Sequence, residues 1–222
     1  MKLAVVGAGW AGLAAAVRAT QAGHAVTLFD MAPQPGGRAR SDDDDAGRDN
    51  GQHILLGGYA RTLAVMEDVG IDPATVFLRT PLAIAWPDGT CFALSGRGPR
   101  FVDTALALLR APGFDNADKL ALARSAWAWR ARRFDCDPSL TAAELLRRTA
   151  TPRLRERLLD PLCVAALNTP VEAASARVFL AVLRDGLFGE RKASDLLIPR
   201  VPLARLLPAP ALEFLAAAGA DV

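Results

Sequence analysis

The sequence is poor in the residues that most often build metal, disulfide and hydrolytic sites. Its 222 residues include only two histidines and three cysteines. The cysteines, at 91, 136 and 163, are scattered, odd in number and without metal-ligand spacing. This pattern argues against a disulfide framework and a zinc site and favours reduced thiols in a cytoplasmic protein. We also find no Ser-His-Asp, Cys-His or paired-carboxylate arrangement, so no metal site and no hydrolytic triad is predicted.

An excess of charge and long apolar runs are missing as well. The 26 basic and 24 acidic residues nearly balance, which does not favour nucleic acid as a partner. No uninterrupted apolar run approaches the roughly twenty residues that cross a bilayer, and glycines break the amino-terminal segment too early for a signal peptide. The acidic run 42–45 fits a solvated loop better than a cation site. We predict a globular cytoplasmic protein, and peripheral contact with the cytoplasmic membrane stays open.

The first thirty residues predict a dinucleotide-binding unit. Residues 3–6 and 25–29 are apolar runs typical of strands, and an alanine-rich helical pattern joins them. Gly7, Gly9 and Gly12 stand where the first strand turns into the helix. In that order they allow a tight turn, close approach of a pyrophosphate, and close helix–strand packing. The free N–H groups at the start of the helix then face the phosphates.

The residues after the second strand bear on which dinucleotide is bound. Asp30 closes that strand, where a carboxylate can accept the hydroxyls of an adenosine ribose. Met31 and Ala32 supply no arginine for a 2′-phosphate, which leaves NAD or FAD rather than NADP. The segment 35–41, PGGRARS, offers a glycine pair and two arginines for a second contact with the pyrophosphate. An ordinary Pro-Gly loop has the same composition.

Three segments, GAGWAGLAAA, LFD and PGGRARS, resemble the FAD-binding signature of the flavin amine oxidase and carotenoid desaturase superfamily. The resemblance implies FAD as the cofactor and a Rossmann-like FAD-binding domain, which is an α/β fold. It also implies a set of cofactor-binding residues along the first quarter of the chain. These are Gly7, Ala8, Gly9, Trp10, Ala11, Gly12, Asp30, Met31, Gly36, Gly37, Arg38, Ala39, Arg40, Gln52, His53 and Ile54.

Further segments are similar to a narrower subgroup, the squalene-associated FAD-dependent desaturases, now described as hydroxysqualene dehydroxylases. They are DNGQHILLGGY at 49–59, DPLCVAALNT at 160–169 and SDLLIP at 194–199. This resemblance implies a hydrophobic isoprenoid substrate and reductive dehydroxylation of hydroxysqualene to squalene, in hopanoid and squalene biosynthesis. Three alternatives stay open: a carotenoid or phytoene-type desaturase, an amine oxidase, and a catalytically incompetent nucleotide-binding fragment. The oligomeric state is not indicated.

We predict that an inserted domain interrupts the FAD-binding domain. The first part covers 1–78, a mainly helical substrate domain covers 79–198, and the chain returns to the FAD-binding domain at 199–222. The turn sequence at 87–89, between two apolar segments, predicts a β-hairpin at the start of the insertion. Members of the superfamily are larger and carry a later glycine-acid segment that completes the flavin site. From this resemblance we expect an N-terminal fragment with an incomplete FAD-binding domain.

Capping patterns at Thr141, Thr151 and Thr169 predict three helix starts within the insertion. The first and the last have a glutamate three residues later, as in a capping box, and the second precedes a proline. Pro161 should kink or split the helix predicted over 153–167, because it cannot donate a backbone hydrogen bond.

Candidates for contact with substrate are less well marked. Trp127, Trp129 and Phe134 either line an apolar tunnel for a polyprenyl chain or pack in the core, because their spacing does not place all three on one helix face. The many arginines over 130–157 either meet anionic lipid headgroups or are solvated.

His53 and Asp49 are the two catalytic candidates. Both lie in the segment that, by resemblance, passes near the flavin ring. A structural role, such as a hydrogen bond to the backbone, is the alternative for each. If the flavin carries the reaction, no other catalytic arrangement is required.

Overall fold

The structure is a computed structural model that describes residues 1–42, 48–51, 53–95, 100–189 and 192–222. It divides into two compact units, the first formed by Met1–Thr80 with Leu196–Val222 and the second by Pro81–Asp195. The strands are β1 (Lys2–Val6), β2 (Ala25–Phe29), β3 (Leu55–Leu56), β4 (Phe77–Thr80), β5 (Ala83–Ala85), β6 (Cys91–Ala93) and β7 (Leu196–Pro199). The helices are α1 (Trp10–Gln21), α2 (Ala60–Asp68), α3 (Pro73–Val76), α4 (Arg100–Arg110), α5 (Asn116–Ala131), α6 (Ala142–Thr149), α7 (Pro152–Leu154), α8 (Asp160–Leu167), α9 (Ala176–Gly186), α10 (Leu203–Leu206) and α11 (Pro208–Ala217).

A parallel strand pair with a crossover helix is the centre of the first unit. β1 and β2 pair in register from Lys2 opposite Ala25 to Val6 opposite Phe29. Asp221 extends this sheet on the other side of β2 through a parallel bridge to Thr27. α1 packs against α11 and buries Leu13, which is fully shielded from solvent. Burial of a leucine side chain of this kind stabilises a fold by about 1.5–3 kcal/mol.

A second small sheet completes the first unit. β7 lies between β3 and β4 and is antiparallel to both, so residues 196–199 pair with strands more than 110 positions earlier in the sequence. The buried side chains Leu55, Phe77 and Leu197 come from the three strands and join the same hydrophobic core as α1 and α11.

The second unit is mainly helical and carries one β-hairpin. β5 and β6 are antiparallel, with Ala83 opposite Ala93 and Ala85 opposite Cys91, as predicted from the turn at 87–89. The core beneath them includes Phe92, Leu146, Leu158 and Phe179. Within the part of the chain that the structure describes, no helix combines the length and apolarity that crossing a bilayer requires. The predicted domain limits, and the role of the second unit in substrate binding, stay predictions.

The helix predicted over 153–167 is continuous over 152–167 but changes from α-helical to π-helical geometry just before its proline. α7 ends at Leu154, residues Arg155–Leu159 form a π-helical turn, and α8 carries Pro161 in its first turn. Pro161 has no N–H to donate to the preceding turn, which fits a change in the helical hydrogen-bond pattern there. Asn168, the C-cap of α8, has a left-handed φ of 47°.

The helix start predicted at Thr169 is wrong. The Thr169 hydroxyl donates to the Leu167 carbonyl instead, and the next helix, α9, begins at Ala176 with Ser175 as its N-cap. The reason lies in the turn between α8 and α9. The carbonyls of Val171 and Ala174 accept the N–H groups of the first two residues of α6, at 2.9 and 2.8 Å, so this segment satisfies another helix rather than forming one.

The capping box of α6 is confirmed and carries a stability prediction. The Thr141 hydroxyl accepts the Glu144 N–H at 3.2 Å, and the Glu144 carboxylate accepts the Thr141 N–H at 2.9 Å. Thr141→Ala removes the first of these bonds, so we expect a loss of about 1 kcal/mol in the free energy of unfolding. The measurement is urea denaturation followed by circular dichroism. Thr169→Ala is the control, with an expected change of less than about 0.5 kcal/mol. Equal losses in the two variants would contradict the capping role.

Candidate dinucleotide site

The turn between β1 and α1 requires glycine at two of its three glycine positions. The Gly7 N–H donates to the Phe29 carbonyl at 2.7 Å, which ties the turn to the end of β2. Gly7 has a φ of +103°, a conformation that favours glycine. A Cβ on Gly12 would lie 1.8 Å from the Gly7 carbonyl oxygen. The first and third glycines are therefore required by the fold itself.

The glycine pair Gly36–Gly37 lies directly on this turn. The Gly36 N–H donates to the Ala8 carbonyl at 2.8 Å, and Gly9 and Gly36 form an isolated parallel bridge. A Cβ on Gly37 would approach the Gly9 Cα to 3.2 Å. The indole N–H of Trp10 donates to the Ala39 carbonyl at 3.0 Å. The structure thus brings the two separated glycine segments of the sequence into one backbone-lined surface.

Asp30 is held at the edge of this surface by two backbone donors. Its carboxylate accepts the N–H of Ala8, from the glycine turn, and the N–H of Ala32 at 2.7 Å. The hydrogen bond from Ala32 and, to a smaller extent, the one from Ala8 hold the pKa of the Asp30 carboxyl below its usual range. The group is therefore ionised at neutral pH. An ionised carboxylate has about four lone-pair positions, and these two bonds leave others for hydroxyl donors such as those of a ribose.

A cavity of about 230 Å³ lies beside Asp30. Its lining combines the glycine turn, the end of β2 and the loop that follows, with two residues from the end of the chain. The lining residues are Ala8, Leu28, Asp30, Ala32, Pro33, Pro35, Leu212 and Val222. A lining of apolar side chains around one carboxylate suits an adenosine, whose base is apolar on its faces and whose ribose offers hydroxyls.

These residues fit the adenosine diphosphate part of FAD. Gly9 opens α1, and an added Cβ there would meet no described atom closer than the Gly37 Cα at 3.9 Å, so the open side of the turn admits a ligand. The N–H groups at the start of a helix attract a pyrophosphate. Nε of Arg40 is buried and makes no hydrogen bond within the described residues, so it is a donor that an anion could use.

The other predicted cofactor residues include Met31, Arg38, Gln52, His53 and Ile54. Met31, Arg38 and Ile54 are all exposed. His53 lies with its Nδ1 3.1 Å from the Gly51 carbonyl, a local contact within its own loop. Gln52 lies outside the described residues. The assignment of the cofactor-binding residues, and of His53 to catalysis, stays a prediction.

Asp49 makes a structural contact that sequence reasoning missed. Its Oδ1 accepts the Ser41 hydroxyl at 2.7 Å and the Leu203 N–H at 2.9 Å, while the Ser41 Oγ accepts the Ala204 N–H at 2.9 Å. The Ser41–Asp49 pair thus caps α10. More than 150 residues separate the two sides of this contact, and no local sequence pattern predicts it. A catalytic role for Asp49 stays a prediction.

The second unit contains an apolar cavity of about 200 Å³ between α4 and α5. Its lining residues are Thr104, Ala105, Leu122, Ala123, Ala126, Trp127, Arg130 and Phe188. Of the three aromatic residues considered for a tunnel, only Trp127 lines this cavity. Trp129 and Phe134 are buried in the core, where the Phe134 ring packs on Phe188 with 5.5 Å between centroids.

Comparisons with known proteins identify relatives of this chain. The family of flavin containing amine oxidoreductases matches residues 10–194. A hydroxysqualene dehydroxylase from Zymomonas mobilis is 32% identical over 98% of this chain and 52% of its own length. A protein described as a probable zeta-carotene desaturase, from Synechococcus elongatus, is 43% identical over 32% of this chain and 15% of its own length.

A solved structure shares the fold. It is an oxidoreductase from Methanosarcina mazei, 18% identical, with a TM-score of 0.72 over all of this chain and 50% of that one. The chain spans about half the length of the curated relatives that it matches along its whole length. The predicted fold class, an incomplete Rossmann-like domain with a mainly helical insertion that carries a β-hairpin, is confirmed. The predicted cofactor, FAD, is confirmed by the flavin-containing family, and on this match the chain belongs to the flavin containing amine oxidoreductases.

Proposed function

We propose that the protein carrying this chain is an FAD-dependent oxidoreductase that acts on an isoprenoid and reductively removes the hydroxyl group of hydroxysqualene to give squalene. The observation that carries the proposal is the extent of the similarity. The relationship to a hydroxysqualene dehydroxylase runs through both units, over 98% of the chain, whereas the desaturase similarity covers 32% of it. A shared second unit is informative because substrate choice depends on residues outside the cofactor cradle.

The dehydroxylation replaces a carbon–oxygen bond with a carbon–hydrogen bond, consumes one hydride and one proton, and releases water. FAD, when bound and reduced, supplies the hydride. The glycine turn around Gly9 binds the pyrophosphate of the cofactor, and the Asp30 carboxylate orients its ribose. An apolar pocket in the mainly helical unit excludes bulk water from the carbon that loses its hydroxyl. A cytoplasmic location for this reaction, at or near the membrane, is part of the proposal.

The second candidate is an isoprenoid desaturase, in which hydride moves from substrate to oxidised FAD. The zeta-carotene desaturase similarity favours it. An amine oxidase is consistent with the family alone, and a fragment without activity is consistent with the half-length match to the dehydroxylases. These alternatives differ in the direction of electron flow or in the class of substrate, so product analysis separates them.

The test uses the intact protein that carries this chain, purified with its flavin and reduced anaerobically. With hydroxysqualene we expect squalene, identified by its mass, and reoxidation of one flavin for each product formed. With zeta-carotene and oxidised flavin we expect no new conjugated absorption. Longer conjugation in the second assay and no squalene in the first would replace the dehydroxylase proposal with the desaturase, and flavin-loaded protein inactive in both would overturn both.

A further inference from the structure

Helix α5 is apolar on two opposite faces. Leu122 and Trp129 face the core and are buried. On the other side, Trp127 is 76% exposed and Leu120 is 51% exposed. An exposed tryptophan on such a helix indicates an interaction surface.

The exposed apolar strip is flanked by cations. Leu120, Ala123 and Trp127 follow helical spacing and form one line along α5, while Arg124 and Arg130 lie roughly 50–70° to either side of it. Both arginines are exposed, and within the described ranges neither forms an ion pair. The single acidic residue of α5, Asp118, is buried and accepts the Thr151 hydroxyl. The outward face therefore carries positive charge only.

Helix α4 extends this surface. Leu109 is 61% exposed, and its carbonyl accepts a hydrogen bond from the Lys119 ammonium group at 2.9 Å. This bond places a third cation where α4 meets α5. Ala105 of α4 and Ala123 of α5 line the same apolar cavity, beside Trp127. We name the surface formed by Leu109, Lys119, Leu120, Arg124, Trp127 and Arg130 the basic apolar face.

We propose that the basic apolar face docks on a bilayer that contains anionic phospholipid, with the adjacent cavity receiving one hydrocarbon chain. Three features favour lipid over protein as the partner. Tryptophan is enriched at the membrane interface because its ring is apolar and its N–H is polar. Arginine and lysine can hold their charges among headgroups while their stems cover apolar surface. Cations on both sides of an apolar strip complement anionic headgroups on both sides of inserted side chains.

The docking surface uses no residue of the dinucleotide cradle, and only its link to an isoprenoid substrate rests on the proposed function. It places the cavity beside side chains that would be buried roughly 5–10 Å into the boundary between headgroups and acyl chains. An isoprenoid dissolved in the bilayer would then reach the protein without passing through water.

The experiment measures flotation of the intact protein that carries this chain with vesicles, either of phosphatidylcholine alone or of phosphatidylcholine and phosphatidylglycerol in equal amounts. We expect binding to the anionic vesicles, weak binding to the neutral ones, and weaker binding as salt rises. Trp127→Ser and the double variant Arg124→Glu/Arg130→Glu should each reduce binding to anionic vesicles by roughly tenfold or more. Trp127→Phe keeps an apolar ring and should retain most of the binding.

Two matched controls test whether the location matters. Val178→Ser removes an exposed apolar side chain from α9, and Arg61→Glu reverses an exposed charge on α2. Both should bind vesicles like the unchanged chain. Circular dichroism verifies that every variant is folded. Anionic vesicles that do not retain the chain, or equal effects of the test and control variants, would overturn the proposal. A lipid-free dimer lost in Trp127→Ser would also overturn it, because the face would then be a contact between copies.

Discussion

Replacing Gly12 with alanine is expected to lower the free energy of unfolding by at least about 3 kcal/mol. Overpacking a core usually costs about 1–3 kcal/mol when side chains can move aside. Here the obstacle is backbone, because the new Cβ would lie 1.8 Å from the Gly7 carbonyl oxygen and 3.0 Å from its carbon. That carbonyl belongs to the turn tied to β2, so relief requires α1 to move away from β1. Since a domain is stable by only about 5–15 kcal/mol, a large part of the first unit's stability is at risk.

Urea denaturation followed by circular dichroism measures this effect, with Gly186→Ala as the control. Gly186 ends α9, and a Cβ there meets no described atom within 4 Å. Alanine favours helix over glycine by about 1 kcal/mol in a helix interior, so the control should be neutral or slightly more stable. If Gly12→Ala unfolds at the same urea concentration as the unchanged chain, the close contact between α1 and the glycine turn is not present in solution.

The glycine turn also shows which parts of this fold can be inferred from sequence. Its strand, turn and helix are adjacent in the chain, and each glycine has a local steric reason, so the pattern alone predicts β1, α1 and β2. The hairpin of β5 and β6 is similar, because a Pro-Asp-Gly turn fixes it locally. Capping at Thr141 needs only residues 141–144 and could be predicted in the same way.

The features that the sequence did not predict depend on partners that lie far away in the chain. Thr169 and Glu172 match a capping box as well as Thr141 and Glu144 do, yet the turn at 170–174 uses its carbonyls for the start of α6. The Ser41–Asp49 pair has no local sequence signature, because the N–H groups that donate to it belong to residues 203 and 204. Likewise, periodicity separates the faces of α5 but does not tell which face is covered, so the exposure of Trp127 and the burial of Trp129 required the structure.

Gly9→Ala should separate cofactor binding from folding. Gly9 has φ −71° and ψ 170°, which any residue adopts, and the nearest described atom to its added Cβ is 3.9 Å away. The fold therefore accepts the methyl group, at a cost of about 0.5–1 kcal/mol because alanine is a poorer N-cap than glycine. The methyl group would stand on the open side of the turn, where the pyrophosphate must approach the backbone. We expect FAD affinity to fall on the order of a hundredfold, which corresponds to about 2.7 kcal/mol.

Titration of the flavin-free intact protein with FAD, followed by flavin fluorescence, gives the affinity, and urea denaturation gives the stability of the same sample. Gly37→Ala is the informative comparison, because its φ of +62° and the 3.2 Å approach of its Cβ to the Gly9 Cα should reduce stability and FAD binding together. Gly9→Ala should reduce binding alone. A Gly9→Ala protein that binds FAD as tightly as the unchanged protein would mean that the pyrophosphate lies elsewhere. The cradle formed by the two glycine segments would then have only a structural role.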